Sequence, residues 1–185
     1  MNIYDFDGTI HRGDSSFAFY RYCLLHRPYI ILLLPAQLFG VVLYLLKRID
    51  LTKMKEFLYL YYRWIDAEKM AKQFWDQDIP KNIYTWFEEY PCDNKVLVSA
   101  SPEFFLQTAC EKLGIGTLIA SKIDPKTGKA LGPNCSGQEK KRQFLEQFPD
   151  AEPENSFFDK SKDLYVSNLA KHRYKIVRGI PHEQN

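Results

Sequence analysis

From residue 95 onward the chain alternates short apolar, strand-like runs with helical stretches. A chain built that way is directed towards one architecture: parallel strands joined by helices that cover both faces of a sheet. The strand-like runs are 95–98, 117–121, 156–158 and 174–177, and the helical segments are 101–113, 137–148 and 163–171. Ser101 reads as the cap and Pro102 as the first residue of the first of these helices, with Gly114 as its stop. Asp124-Pro-Lys-Thr-Gly128 reads as a turn between two short extended arms. One more apolar strand, Ile3 to Phe6, stands near the start. Between it and the alternating part, from about Ser15 to Glu89, lies helix after helix, rich in aromatics and broken at Pro28, Ile49-Asp50, near Asp66 and at Pro80. The expected fold is α/β: a Rossmann-like three-layer parallel sheet made by 1–12 and 92–185, with an all-helical cap inserted over 13–91. The polar tail from Gly179 to Asn185 is expected to be loose.

The 185 residues suffice for one core and a small accessory unit, and 45% apolar with 26% charged residues excludes wholesale disorder. A net charge of +2 without a dense basic run offers nothing to nucleic acid. Cys23, Cys92, Cys110 and Cys135 are far apart and lack metal-ligand spacing, so they read as reduced thiols. The apolar strand at residue 3 leaves no room for a signal peptide, and a cytoplasmic location is expected. Oligomeric state is not legible.

Ligands of an open parallel sheet bind outside the carboxyl ends of its strands, so the polar residues there carry the functional reading. Asp5 and Asp7 leave the first strand two residues apart, with Gly8 turning the backbone away. Two carboxylates so close repel unless a cation or a shared proton relieves them, although Asp5-Phe-Asp-Gly-Thr9 alone also reads as an Asp-Gly turn. Ser99 leaves the second strand, and with the backbone N–H groups of Ala100 and Ser101 at a helix mouth it can hold phosphate oxygens. A plain N-cap is the other reading of Ser99, a role that Ser101 fills as well. Lys140, three residues after Gly137, would bring positive charge, with Lys141 and Arg142 as competitors. Asp159 and Asp163, four apart, can point back at one spot, and with Asp5 they make an oxygen-only set suited to Mg²⁺.

The order Asp5-x-Asp7-Gly-Thr9, Ser99, Gly137-x-x-Lys140, Asp159-x-x-x-Asp163 resembles the haloacid dehalogenase superfamily of phosphatases, and the early insert resembles its helical-cap branch, which includes phosphoserine phosphatases. The resemblance implies Asp5 as nucleophile, an aspartyl-phosphate intermediate, and Asp7 as acid and then base. It implies Mg²⁺ on Asp5, the Asp7 carbonyl, Asp159 and Asp163, with Ser99, Ala100 and Lys140 on the phosphate. Asp14 falls where phosphoserine-specific relatives carry an acidic residue on the substrate amine; it reads equally as a helix N-cap. Motif four departs from the usual Gly-Asp-Ser-x-x-Asp, because Lys160 and Lys162 flank its aspartates.

Tyr29 to Leu46 is an eighteen-residue apolar run with Gln37 as its one strongly polar residue, between His26-Arg27 and Lys47-Arg48. Three readings compete: a transmembrane helix, a membrane-dipping hairpin or surface helix, and a buried cap helix. A single crossing would separate Asp5 from Ser99, Lys140 and Asp159. Pro35 and Gly40 would bend or break a helix, and basic ends suit a cytoplasmic membrane face. This start resembles C-type phosphatidylglycerophosphate phosphatases, which implies a lipid phosphomonoester as substrate and a peripheral or re-entrant seat on the membrane. The alternatives are a soluble phosphatase for phosphoserine or another small metabolite, and a non-catalytic phosphate- or membrane-binding module.

Overall fold

The computed structural model describes residues 1–90 and 92–184. Its centre is a six-stranded sheet in the order β3-β2-β1-β4-β5-β6, made by β1 (Asn2–Tyr4), β2 (Lys95–Pro102), β3 (Thr117–Ser121), β4 (Asn155–Phe158), β5 (His172–Val177) and β6 (Ile180–Gln184). The first five strands are parallel. Side-chain alternation divides them between two cores: Tyr4, Leu97 and Phe157 join a large aromatic cluster on one face, and Ile3, Val96 and Val98 pack with Phe144 and Val166 on the other. Strands that are buried on both faces read as continuous apolar runs, which is why they were legible.

The tail is a correction: Ile180–Gln184 is not loose but pairs antiparallel with β5 through a tight turn at Arg178 and Gly179, both at positive φ. Pro181 is tolerated because β6 is the sheet's edge. Asn185, like Pro91 at the expected boundary between cap and core, lies outside the described residues.

The insert is helical as expected: α1 (Ser15–His26), α2 (Leu34–Leu45), α3 (Leu51–Leu58), α4 (Ala67–Asn82) and α5 (Trp86–Glu89), with 3₁₀ turns at Pro28–Leu33 and Tyr59–Trp64. Asp14, Asp50 and Asp66 cap α1, α3 and α4, each accepting a hydrogen bond from the N–H three residues on. Two expected breaks do not occur. Pro80 lies in the last turn of α4, where the helix is ending anyway. Gly40 sits inside α2 because Phe57 of α3 approaches so closely that a Cβ there would come within 2.4 Å of the Phe57 Cβ.

A buried pair joins the insert to the strand-one loop. His11 Nε2 lies 2.7 Å from Asp78 Oδ2 on α4, and Nδ1 faces the Gly13 carbonyl at 3.3 Å, so both ring nitrogens meet acceptors and both must donate. Burial opposes the imidazolium, but Asp78 and the carbonyl outweigh it and hold the His11 pKa above its ordinary value. The stabilisation is therefore complete below about pH 6.5, the unfolded value, and is lost as pH rises through the higher folded one. Thermal unfolding across pH 6 to 9 should show wild-type stability falling in that window, with the fall absent from His11→Gln; parallel curves would contradict this assignment.

Candidate active site

The carboxyl ends of β1, β2 and β4 converge beneath the insert. Asp5 and Asp7 follow β1, and Asp159 follows β4, while Asp163 comes from a 3₁₀ turn at Ser161–Asp163 that leads into the short helix α8 (Leu164–Ser167). That helical region is shorter than the sequence indicated, since it stops at Ser167 and not at Lys171. One oxygen each from Asp5, Asp159 and Asp163 lies within 4.8 Å of the others. Gly8 makes this possible: its φ is +82°, and a Cβ there would lie 2.3 Å from Asp159 Oδ2.

Lys140, from the first turn of α7 (Gln138–Gln147), is almost fully buried. Its ammonium hydrogen-bonds to Asp5 Oδ1 and stands 2.7 Å from Asp163 Oδ1. Burial alone would drive its proton off, and the two carboxylates reverse this, holding the pKa well above the ordinary lysine value. The competitors are elsewhere: Lys141 is exposed and Arg142 is taken up by Glu139 and Glu146. Burial raises the pKa of Asp163, with the charge of Asp5 adding to it and Lys140 opposing it; for Asp159, burial and Asp5 likewise act upward against Lys160, 3.4 Å away.

Asp7 points away from the trio. Its Oδ1 accepts from the Ser15 N–H and its Oδ2 from the Ser101 hydroxyl, both at 2.7 Å. Burial nevertheless wins over these hydrogen bonds and raises the Asp7 pKa, which favours a carboxyl able to carry a proton.

Ser101 was misread. It belongs to β2, and the helix, α6 (Glu103–Leu113), begins one residue later than expected, with Pro102 as its cap. The cause is a bulge: Ser99 pairs with Ala120 but Pro102 with Ser121, so residues 100 and 101 are squeezed out of the ladder. The bulge aims the Ser101 hydroxyl at Asp7 and the Ala100 carbonyl at Lys55 of α3, and the Ser101 N–H is spent on Ser99 Oγ at 3.2 Å. The Ser101 N–H is thus not free for phosphate, while the hydroxyl of buried Ser99 keeps its own proton to donate. Asp14 caps α1 through Oδ1, as one of its two readings has it, and also lines the cavity.

That cavity, of about 470 Å³, runs from Asp5, Asp7, Ser99 and Lys140 to an apolar wall of Leu34, Leu38 and Val41 on or beside α2 and Leu51, Met54 and Leu58 on α3.

A profile of the haloacid dehalogenase-like hydrolases matches residues 3–166, nearly the whole chain. The chain belongs to this family. No curated protein matches the sequence. Among solved structures, this hydrolase is similar to a protein of unknown function from Bordetella pertussis Tohama I, with a TM-score of 0.74 at 14% identity over 95% of this chain and 88% of that one. It is also similar to a phosphoserine phosphohydrolase-like protein from Francisella tularensis, with a TM-score of 0.59, 17% identity and 97% and 88% of the two chains. For a probable phosphoserine phosphatase from Vibrio cholerae the values are 0.62, 14%, 93% and 55%, so the hydrolase spans about half that protein's length. At these identities the likeness is one of fold.

The acidic trio fits a metal ion by its own chemistry. Asp159 Oδ1 and Asp163 Oδ2 are buried without a hydrogen-bond donor, while Asp163 Oδ1 has the Lys140 ammonium at 2.7 Å. Orphaned carboxylate oxygens on a hard, oxygen-only set ask for a cation.

Proposed function

We propose that this hydrolase is a Mg²⁺-dependent phosphomonoesterase that works through an aspartyl-phosphate, on a lipid of phosphatidylglycerophosphate type. Residues 13–91 act as its cap. The observation that carries the lipid reading is the cavity: its floor holds the ionisable groups, and Leu34 and Leu38 of its apolar wall are also surface residues, 37% and 55% exposed. They continue into Leu32, Phe39, Val42 and Leu45, all exposed, on a segment long and apolar enough to span a bilayer, of which 17% is buried. A fully buried cap helix does not describe this face. An exposed apolar patch edged by Arg27, Lys47 and Arg48 supports a membrane-surface seat from which acyl chains reach the cavity while the phosphate reaches Asp5. A phosphoserine site would need a closed polar pocket.

In the proposed reaction, an Asp5 oxygen attacks phosphorus as the ester P–O bond breaks, and Asp7 gives its proton to the leaving oxygen. Asp7 then takes a proton from water, whose oxygen displaces Asp5 and releases phosphate. Ser15 and Ser101 hold Asp7 off the metal trio, so that it remains free for proton transfer. Asp5, Asp159 and Asp163, with the Asp7 carbonyl, would hold Mg²⁺, which supplies the positive charge that lets an anionic nucleophile meet an anionic ester. Ser99 and Lys140 offset charge on the transferring group.

The test is phosphate release from phosphatidylglycerophosphate in mixed micelles and from soluble phosphoserine, with Mg²⁺ and with EDTA. Mg²⁺-dependent release from the lipid is expected. Release from phosphoserine alone would replace the lipid reading with that of a soluble metabolite phosphatase, and silence on both would leave the substrate open.

A further inference from the structure

Among the described residues, one cation of the cavity that is not exposed to solvent lacks a paired carboxylate. Lys140 is balanced by Asp5 and Asp163, whereas Lys55, carried by α3, meets only neutral acceptors: its Nζ donates to the Ala100 carbonyl and to Asn134 Oδ1, both at 2.7 Å. Among the described residues no carboxylate pairs with it. A largely buried ammonium is ordinarily matched by an anion, because withdrawing the charge from water alone is costly. The cost is visible here, since burial and the like charge of Lys162 push the Lys55 ammonium down to about 8 despite more distant help from Asp7 and Asp14. Two of its three N–H donors are engaged, which leaves one for a ligand. Lys55 and Lys162 both line the cavity that holds Asp5 and Asp7.

We infer that Lys55 is a specificity-determining residue, whose ammonium binds a second anionic group of the substrate beside the phosphate that is cleaved. The inference rests on the proposed phosphomonoesterase reading and narrows it to substrates that carry a further anionic oxygen group, a phosphodiester or a carboxylate. The position supports this. Lys55 reaches the bulged end of β2 from the insert, hydrogen-bonded to the Ala100 carbonyl next to Ser99. It lines the same cavity as Ser99, Lys140 and its own helix's apolar neighbours Leu51, Met54 and Leu58, so a ligand with its phosphate at Asp5 and its apolar part on that wall passes it. A substrate whose only charge is the scissile phosphate would leave this cation unmatched.

The test compares wild type, Lys55→Met and Lys55→Arg on monomeric short-chain lipids: dihexanoyl phosphatidylglycerophosphate, with a phosphodiester beside its phosphomonoester, and dihexanoyl phosphatidic acid, with the phosphomonoester alone. Phosphoserine serves as the carboxylate arm. Wild type should favour one of the doubly anionic substrates over phosphatidic acid by about ten- to a hundredfold in kcat/KM, the range for a charge-assisted hydrogen bond. Lys55→Met should bring that preference to within about threefold, chiefly through KM, and Lys55→Arg should keep most of it. Equal losses on all substrates in Lys55→Met would overturn the inference, because Lys55 would then serve the cleaved phosphate or cap closure. Hydrolysis of p-nitrophenyl phosphate by wild type checks the underlying reading separately. Calorimetric binding of the two lipids reports the preference without turnover, and indistinguishable affinities in wild type and Lys55→Met would overturn it on their own.

Discussion

Asp5→Asn is expected to lose phosphomonoesterase turnover by at least about a thousandfold while remaining folded, as measured with p-nitrophenyl phosphate and excess Mg²⁺. An amide is a poor nucleophile towards phosphorus and a poor leaving group in the second step, so both halves of the proposed reaction fail together. Stability should change little without metal. Lys140 keeps Asp163 as a partner, and the substitution removes one of three mutually repelling carboxylates, two of which already have raised pKa values partly because of Asp5. With Mg²⁺ the outcome differs: the gain in thermal stability that the ion gives the wild type should shrink, because a charged ligand has gone. Turnover within tenfold of wild type would remove Asp5 as the nucleophile. A variant that fails to fold would show that the charge balance around Lys140, and not the metal trio, dominates the site's energetics.

What the sequence disclosed about this site, and what it did not, divides along a physical line. Asp5, Asp7, Ser99, Lys140, Asp159 and Asp163 stand at strand exits or in the first helical turns beyond them, and in a parallel sheet such positions meet at one edge whatever the rest of the chain does. Local order therefore sufficed to bring them together. Ser101 was read as a helix cap because a serine before a proline ordinarily is one, and only the two-residue bulge in β2 turns it towards Asp7. Lys55 gave no local signal at all. In Lys53-Met-Lys55-Glu56 it looks like part of a solvated helix face, and its approach to Ala100 depends on how α3 is placed by the packing of Phe57 on Gly40 of α2. The apolar run from Tyr29 to Leu46 posed the same difficulty: its composition fits a buried helix and an exposed one equally, and the packing of Gly40 on Phe57 is what leaves Leu38, Phe39, Val42 and Leu45 outward.

The second large effect concerns Lys140, whose replacement by Met should destabilise the protein by roughly 3–5 kcal/mol in the absence of metal, the usual consequence of removing one partner from a buried ion pair. For a chain of this length that is a fall of about 6–20 °C in Tm. The hydrophobic stem is retained by Met, so the loss is electrostatic: Asp5 and Asp163 would be left facing each other and Asp159 with only Lys160 and Lys162 as nearby cations, both exposed. Two consequences distinguish this from general disruption. Mg²⁺ should restore more stability to Lys140→Met than it adds to the wild type, since the ion would then supply the only positive charge at the centre of the trio, and Lys141→Met, one residue along on an exposed position, should leave Tm unchanged. Activity should not recover with stability. The ion would neutralise the carboxylates without replacing the fixed ammonium beside the transferring phosphate, so kcat should stay about a hundredfold or more below wild type even at saturating Mg²⁺. A metal-free Tm equal to the wild-type value would mean that Asp5 and Asp163 do not carry full charge in the folded protein, and the role of Lys140 as their counter-charge would fall with it.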